Sequence, residues 1–148
     1  MSSTAFAAVL AFTAGLAGAT QIAVQGKLGD RVGTIEAVAA AAVVGCTLAL
    51  FTLLVARRSL AGVGDAIAGP KWQLLGGVMS VFIVLTITFC GPRIGVVATT
   101  AFLIAGQFGL ATLIDRYGWL GVEQVAVGWP RVLGVGLLVT GAALTLHR

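Results

Sequence analysis

The chain has 148 residues, of which 59% are hydrophobic and only 9% charged, against roughly 25% charged residues in soluble domains. That is too little polar surface to cover a water-soluble core, so an ordinary soluble domain is excluded. The net charge of +4 comes from basic residues scattered between apolar runs. No basic cluster of the kind nucleic acid requires is present, and the lipid bilayer, with anionic headgroups beside the loops, is the partner these charges imply.

A bilayer core about 30 Å thick takes roughly 20 apolar helical residues to cross, and charge-free runs of that length recur along the chain. Spans are expected at approximately 2–26, 37–56, 72–90, 94–114 and 128–146. The last is the shortest, with fifteen uncharged residues after Arg131, and it fits if the helix enters near Trp129 and Arg131 snorkels to the interface. The first run has no basic stretch before it and exceeds the apolar core of a cleaved leader, so it reads as a retained span.

The connections are short. "GKLGDRVGTIE", 26–36, reads as a loop between the first two spans, with Thr34 as the N-cap and Glu36 in the first helical turn, where a negative charge suits the helix dipole. "RRSLAGVGDAIAGPK", 57–71, leads to the third span, and Gly69-Pro70 marks a helix start. In "CGPRIG", 90–95, Pro92 breaks the apolar run, so 72–114 reads as two antiparallel helices. Small residues recur every fourth position at Ala7, Ala11, Gly15, Ala19 and Ala23, and again at Ala37, Ala41, Gly45 and Ala49. Such ladders let helices approach closely and favour a compact bundle.

Five spans put the N-terminus and the connections after the second and fourth spans on one side of the membrane. That side carries Arg57, Arg58, Lys71, Arg116 and Arg131, and the other carries Lys27, Arg31, Arg93 and Arg148. Five charges against four is almost no bias, and bias is what normally fixes orientation. Insertion in both directions is therefore expected. Two oppositely inserted copies would reproduce the inverted-repeat arrangement of alternating-access transporters. No internal repeat is evident by eye, so the second half of such a machine has to be a second chain.

Catalytic chemistry finds little to work with. There is no Ser-His-Asp set, no pair of intramembrane carboxylates and no phosphate-binding glycine loop. Cys46 and Cys90 lie in separate spans, and the lone histidine, His147, is at the end of the chain, so neither a metal site nor a cofactor site is expected. What remains is a thin set of polar groups: Gln21 and Gln25, Glu36, Thr86 and Thr88, Thr99, Thr100 and Gln107. Gln21 and Gln25 are four apart and share a helix face; Thr100 and Gln107, seven apart, share another. Gln21, Gln25, Thr100 and Gln107 are the candidate substrate contacts, with interhelical hydrogen bonding as the competing role for the amides. Glu36, Arg93 and Asp115 are candidates for coupling or gating. Each has a simpler reading, as a helix-start charge, a snorkelling turn residue and a boundary marker respectively.

The stretch "GGVMSVFIVLTITFCGPRIGVVATTAFLIAGQFGLATLIDRYGWLGV", 76–122, carries Gly76-Gly77, Pro92-Arg93-x-Gly95, Ala105-Gly106-Gln107 and Asp115-x-x-Gly118 in order. With Arg131 and Gly134 of "RVLGVGLLVTGAAL", this order resembles the YdcZ-like family, small five-helix inner-membrane proteins of the drug/metabolite transporter superfamily. In the first span the family tends to show a Gln, an Asn four residues later, then Leu and Gly. Here Gln21, Gln25, Leu28 and Gly29 stand in those places, and the residue at 25 keeps the amide on a side chain one methylene longer.

The resemblance implies an all-α integral membrane protein of the inner membrane, five transmembrane helices forming half of a ten-helix inverted-repeat transporter. It implies a small-molecule substrate and an antiparallel homodimer, or a heterodimer with a related five-helix chain. The embedded glutamate of the superfamily's four-helix cation exporters has no counterpart in the first span, 2–26. Alternating-access transport of a small metabolite or drug-like solute is thus the expectation. A dual-topology ion channel and a non-transporting accessory subunit are the alternatives.

Overall fold

The computed structural model describes residues 3–126 and 128–146, except for the side chains of Ser3 and Arg131. The expected snorkelling of Arg131, and the ends of the chain with Ser2, His147 and Arg148, lie outside the described residues. Helices α1 (Ser3–Val32), α2 (Thr34–Arg57), α3 (Ala61–Ala68), α4 (Leu75–Ile94), α5 (Val96–Tyr117) and α6 (Trp129–Leu144) follow one another, with 3₁₀ turns at Lys71–Leu74 and Trp119–Gly121. Among the described residues, four helical stretches are long and apolar enough to cross a membrane: those of α1, α2, α5 and α4 with its leading 3₁₀ turn. The sixteen residues of α6 make a shorter apolar helix.

The first turn differs from the expected loop. Helix α1 runs through Lys27, Asp30 and Arg31 to Val32, and only Gly33 separates it from α2. At 1.5 Å per residue a thirty-residue helix is about 45 Å long, more than a hydrocarbon core needs. Its charged end can therefore stay helical beyond the apolar layer. Gly33, at φ 103° and ψ 149°, is the N-cap of α2, and Thr34, expected in that role, is the first helical residue. A backbone angle that L side chains rarely adopt is accessible to glycine without strain, which is why the chain reverses here.

A second turn repeats the device. Pro92 lies inside α4, and the break comes three residues later at Gly95, with φ 85° and ψ 161°. A proline removes one bond to the carbonyl four residues back but does not by itself end a helix. The amides of Ala37 and Thr99 bond to the carbonyls of Gly33 and Gly95 at 3.0 and 3.1 Å. The two turns share a pattern in sequence, "GDRVG" at 29–33 and "GPRIG" at 91–95. A short echo is therefore present within one chain, and it becomes visible once both turns are seen to hinge on the second glycine.

The chain divides into two compact units: residues up to Ile22 together with those from Ile94 onward, and Ala23–Arg93. In the first, α5 and α6 pack together, with the ring of Phe108 beside Gly134. Gly118 closes α5 in the left-handed conformation, its N–H donating to the Ile114 carbonyl at 2.8 Å. This is a glycine C-cap of the usual kind, and it gives the Asp115-x-x-Gly118 motif a structural role. The following segment is tied back by the Val125 N–H, which donates to the Asp115 carbonyl at 2.9 Å. Pro130 sits in the first turn of α6, where its missing N–H costs nothing.

In the unit Ala23–Arg93, α2 is capped by Arg58, whose N–H donates to the Leu54 carbonyl. The short exposed helix α3 follows, and Pro70 begins the 3₁₀ turn that leads into α4, as the Gly-Pro signal predicts. Ile67, Trp72 and Leu74 are exposed along this connection, as suits a segment lying in the membrane interface.

Candidate functional site

The threonines are committed to their own helices. The hydroxyls of Thr86, Thr88, Thr99 and Thr100 donate to the carbonyls of Phe82, Val84, Gly95 and Val96 at 2.7–2.9 Å. This back-bonding satisfies a hydroxyl inside a membrane without another helix. It leaves each of them free only to accept from a solute.

The glutamines divide by burial. Gln25 is 6% exposed, and its Nε2 donates to the Ala37 carbonyl at 3.0 Å, joining α1 to the start of α2. Gln21, one turn earlier on the same face, is exposed, as is Gln107 on α5. Neither exposed amide has a hydrogen-bond partner among the described residues. Thr100, on the Gln107 face of α5, is half-buried. Gln107 is ten residues from the end of α5 at Tyr117 and eleven from its start at Val96, so it sits at the middle of a span, about 15 Å from either end.

The charged candidates sit at helix ends. Glu36 lies in the first turn of α2, and its carboxylate fills the space a Cβ on Gly33 would occupy. A negative charge there meets the positive end of the helix dipole. The Arg93 guanidinium folds back on α4, Nη1 donating to the Phe89 carbonyl at 2.6 Å and Cζ lying 3.5 Å from the Phe89 ring centre, a cation–π contact. Asp115 is half-buried at the end of α5, where Arg116 stands 6.0 Å from the Tyr117 ring centre and Tyr117 stacks on Trp119 at 5.4 Å. Aromatic and cationic groups of this kind collect at membrane boundaries.

Within the unit Ala23–Arg93, Thr34, Leu85, Thr86, Phe89 and Cys90 line an open groove of about 330 Å³. Among the described residues, no cluster of His, Cys, Asp and Glu could hold a metal ion. Sequence reasoning did not find the contacts behind Gln25: a Cβ on Gly26 would lie 3.1 Å from Pro92, and one on Gly29 would lie 2.7 Å from Thr88. The signal was the spacing of Gly26 and Gly29 just after the amide.

Among the described residues the arrangement is thus helical, apolar, and polar at few points, without a reactive constellation. The family model described as "Putative inner membrane exporter, YdcZ" matches residues 6–144. The chain belongs to this YdcZ family. It is accordingly a multi-pass protein of the inner membrane, and membership in the YdcZ family implies a transporter rather than an enzyme. Searches of curated proteins and of solved structures gave no match.

Proposed function

We propose that this YdcZ-family chain is a secondary transporter that moves a small solute by alternating access, with two copies inserted in opposite directions. The observation that carries the reading is the exposed amide of Gln107 at the middle of α5. An amide facing hydrocarbon loses its hydrogen bonds to water, at a cost of several kcal/mol on the order of the apolar transfer value. Polar groups at that depth accordingly face a water-filled path or a partner.

Gln21 supports the same reading. It lies twelve residues before Gly33, and Gln107 lies twelve residues after Gly95. If both turns stand at one membrane face, as alternating spans require, both amides lie at one level about 18 Å from the turns, which for Gln21 is about 9 Å deeper than Lys27, where the charged end of α1 begins. Two amides at one level offer donors and acceptors, with Thr100 as a further acceptor. No charged side chain lies near them along either helix, so the solute is small, polar and neutral overall. The helix α6, flanked by Trp129, is the fifth span, crossing with its ends at the interface. The near-balance of five basic residues against four supports the opposed orientation of the two copies.

Reconstitution of the purified chain into liposomes, with a solute screen, tests this. Saturable uptake that a counter-gradient can drive uphill, reduced at least about ten-fold by Gln107→Ala, is the expected outcome; a loss of that size corresponds to about 1.4 kcal/mol of binding or transition-state energy. Fast flux that only dissipates a gradient would instead make the protein a channel. Transport untouched by both Gln107→Ala and Gln21→Ala would remove these residues from the site.

A further inference from the structure

The unit Ala23–Arg93 is packed at one end only. Its buried residues, Gln25, Gly26, Ala37, Val38, Ile87, Thr88 and Gly91, belong to the end of α1, the start of α2 and the end of α4. Residues 42–50 of α2 and 75–82 of α4, towards the opposite end, are exposed. Contacts among all three helices draw the packed end together. Gln25 Nε2 donates to the Ala37 carbonyl, Gly26 faces Pro92, and Gly29 faces Thr88.

Pro92 gives this seam a particular chemistry. Lacking an N–H, it leaves the Thr88 carbonyl, four residues back, without its helical donor. That carbonyl lies 3.7 Å from the position a Cβ on Gly29 would take, so α1 approaches α4 where α4 is least braced. A helix with a proline two residues before its last bends more easily than a continuous one. The single-glycine turn at Gly33 can absorb a backbone rotation between α1 and α2, as hinge positions do.

We infer that this seam is a gate of the proposed carrier, with the Gln25–Ala37 hydrogen bond as its latch: the structure shows the gate closed, and it opens when α1 separates from α2 and α4 there. Gln25 is then a gating residue, and Gln21, one turn deeper, stays available to the solute. The inference rests on the carrier reading for its purpose but not for its test. An interhelical hydrogen bond in a membrane is weak enough to break during a transport cycle. Gly26 and Gly29 let the helices part without unlocking interdigitated side chains.

The test uses the full-length protein in membranes, free of native cysteines through Cys46→Ala and Cys90→Ala. Thr88→Cys places a thiol where the present side chain is 1% exposed. Its rate of modification by a water-soluble thiol reagent applied to both sides reports opening of the seam. With Gln25 in place the reaction is expected to be slow, and with Gln25→Leu about three- to ten-fold faster, the range that loss of one such bond gives. Ala142→Cys, at a position 1% exposed on α6, serves as the control for general loosening and should react at an unchanged rate. Equal Thr88→Cys rates with and without Gln25→Leu would overturn the inference, as would acceleration of both thiols together. Uphill solute transport by the unmodified chain is measured separately. Its failure removes the carrier while leaving the latch to be judged by the labelling rates alone.

Discussion

Gly33 carries two constraints at once. Its φ of 103° is strained for any residue with a Cβ, and that Cβ would meet the carboxylate of Glu36. Gly33→Ala is expected to lower stability by about 1–3 kcal/mol, read as a lowered thermal midpoint in detergent; adding Glu36→Ala should recover the part due to crowding but not the part due to the backbone. Gln107 behaves in the opposite way. Being exposed and unpartnered among the described residues, it contributes little to folding, so Gln107→Ala should leave stability within about 0.5 kcal/mol of the parent value, read as a nearly unchanged midpoint, while reducing transport. The two amides at 21 and 25 show how far single residues were legible. Helical spacing placed them on one face, but periodicity is blind to where along that face a neighbouring helix begins to cover it. Only the packing shows that Gln25 is enclosed and Gln21 is not.

At the scale of elements, the long apolar spans were legible because twenty residues without a charge have few alternatives to a membrane helix. Their ends were not. The run Lys27, Asp30, Arg31 with its glycines reads as a loop, yet it is the last turn and a half of α1. Charge marks where the hydrocarbon stops, and backbone hydrogen bonding continues past that boundary whenever the next residues tolerate it. Asp30→Pro separates the two descriptions. In a helix it removes a backbone bond and collides with the carbonyl four residues back, so a loss of about 3 kcal/mol is expected, seen as a sharp fall in folded yield and thermal midpoint. A loop would accept the proline with little change. Pro92 misleads in the same way, because it weakens α4 while Gly95 ends it. Such a break depends on which residue can adopt a positive φ, and "GPRIG" offers two glycines from which to choose.

For the whole molecule, the membrane class followed from composition, and membership in the YdcZ family agrees with the motif order read along the chain. The proposed arrangement of two copies rests on charge balance, a property of the chain in its membrane rather than of its internal packing. Labelling a cysteine introduced near each terminus from either side of intact membranes should find each terminus on both faces in comparable amounts. Adding two lysines to the connection between α2 and α4, on the side that already carries five basic residues, makes the count seven against four and should shift most copies into one orientation, since that bias exceeds the native difference of one charge. Transport by these biased copies should fall, because too few opposed partners remain, and should return when they are mixed with copies biased the other way. The carrier itself is tested most directly by concentrating a solute against its gradient in liposomes that contain only this chain. The account predicts saturable, counter-gradient-driven accumulation that Gln107→Ala reduces at least about ten-fold; flux that never exceeds equilibrium, under any imposed counter-gradient, would contradict it.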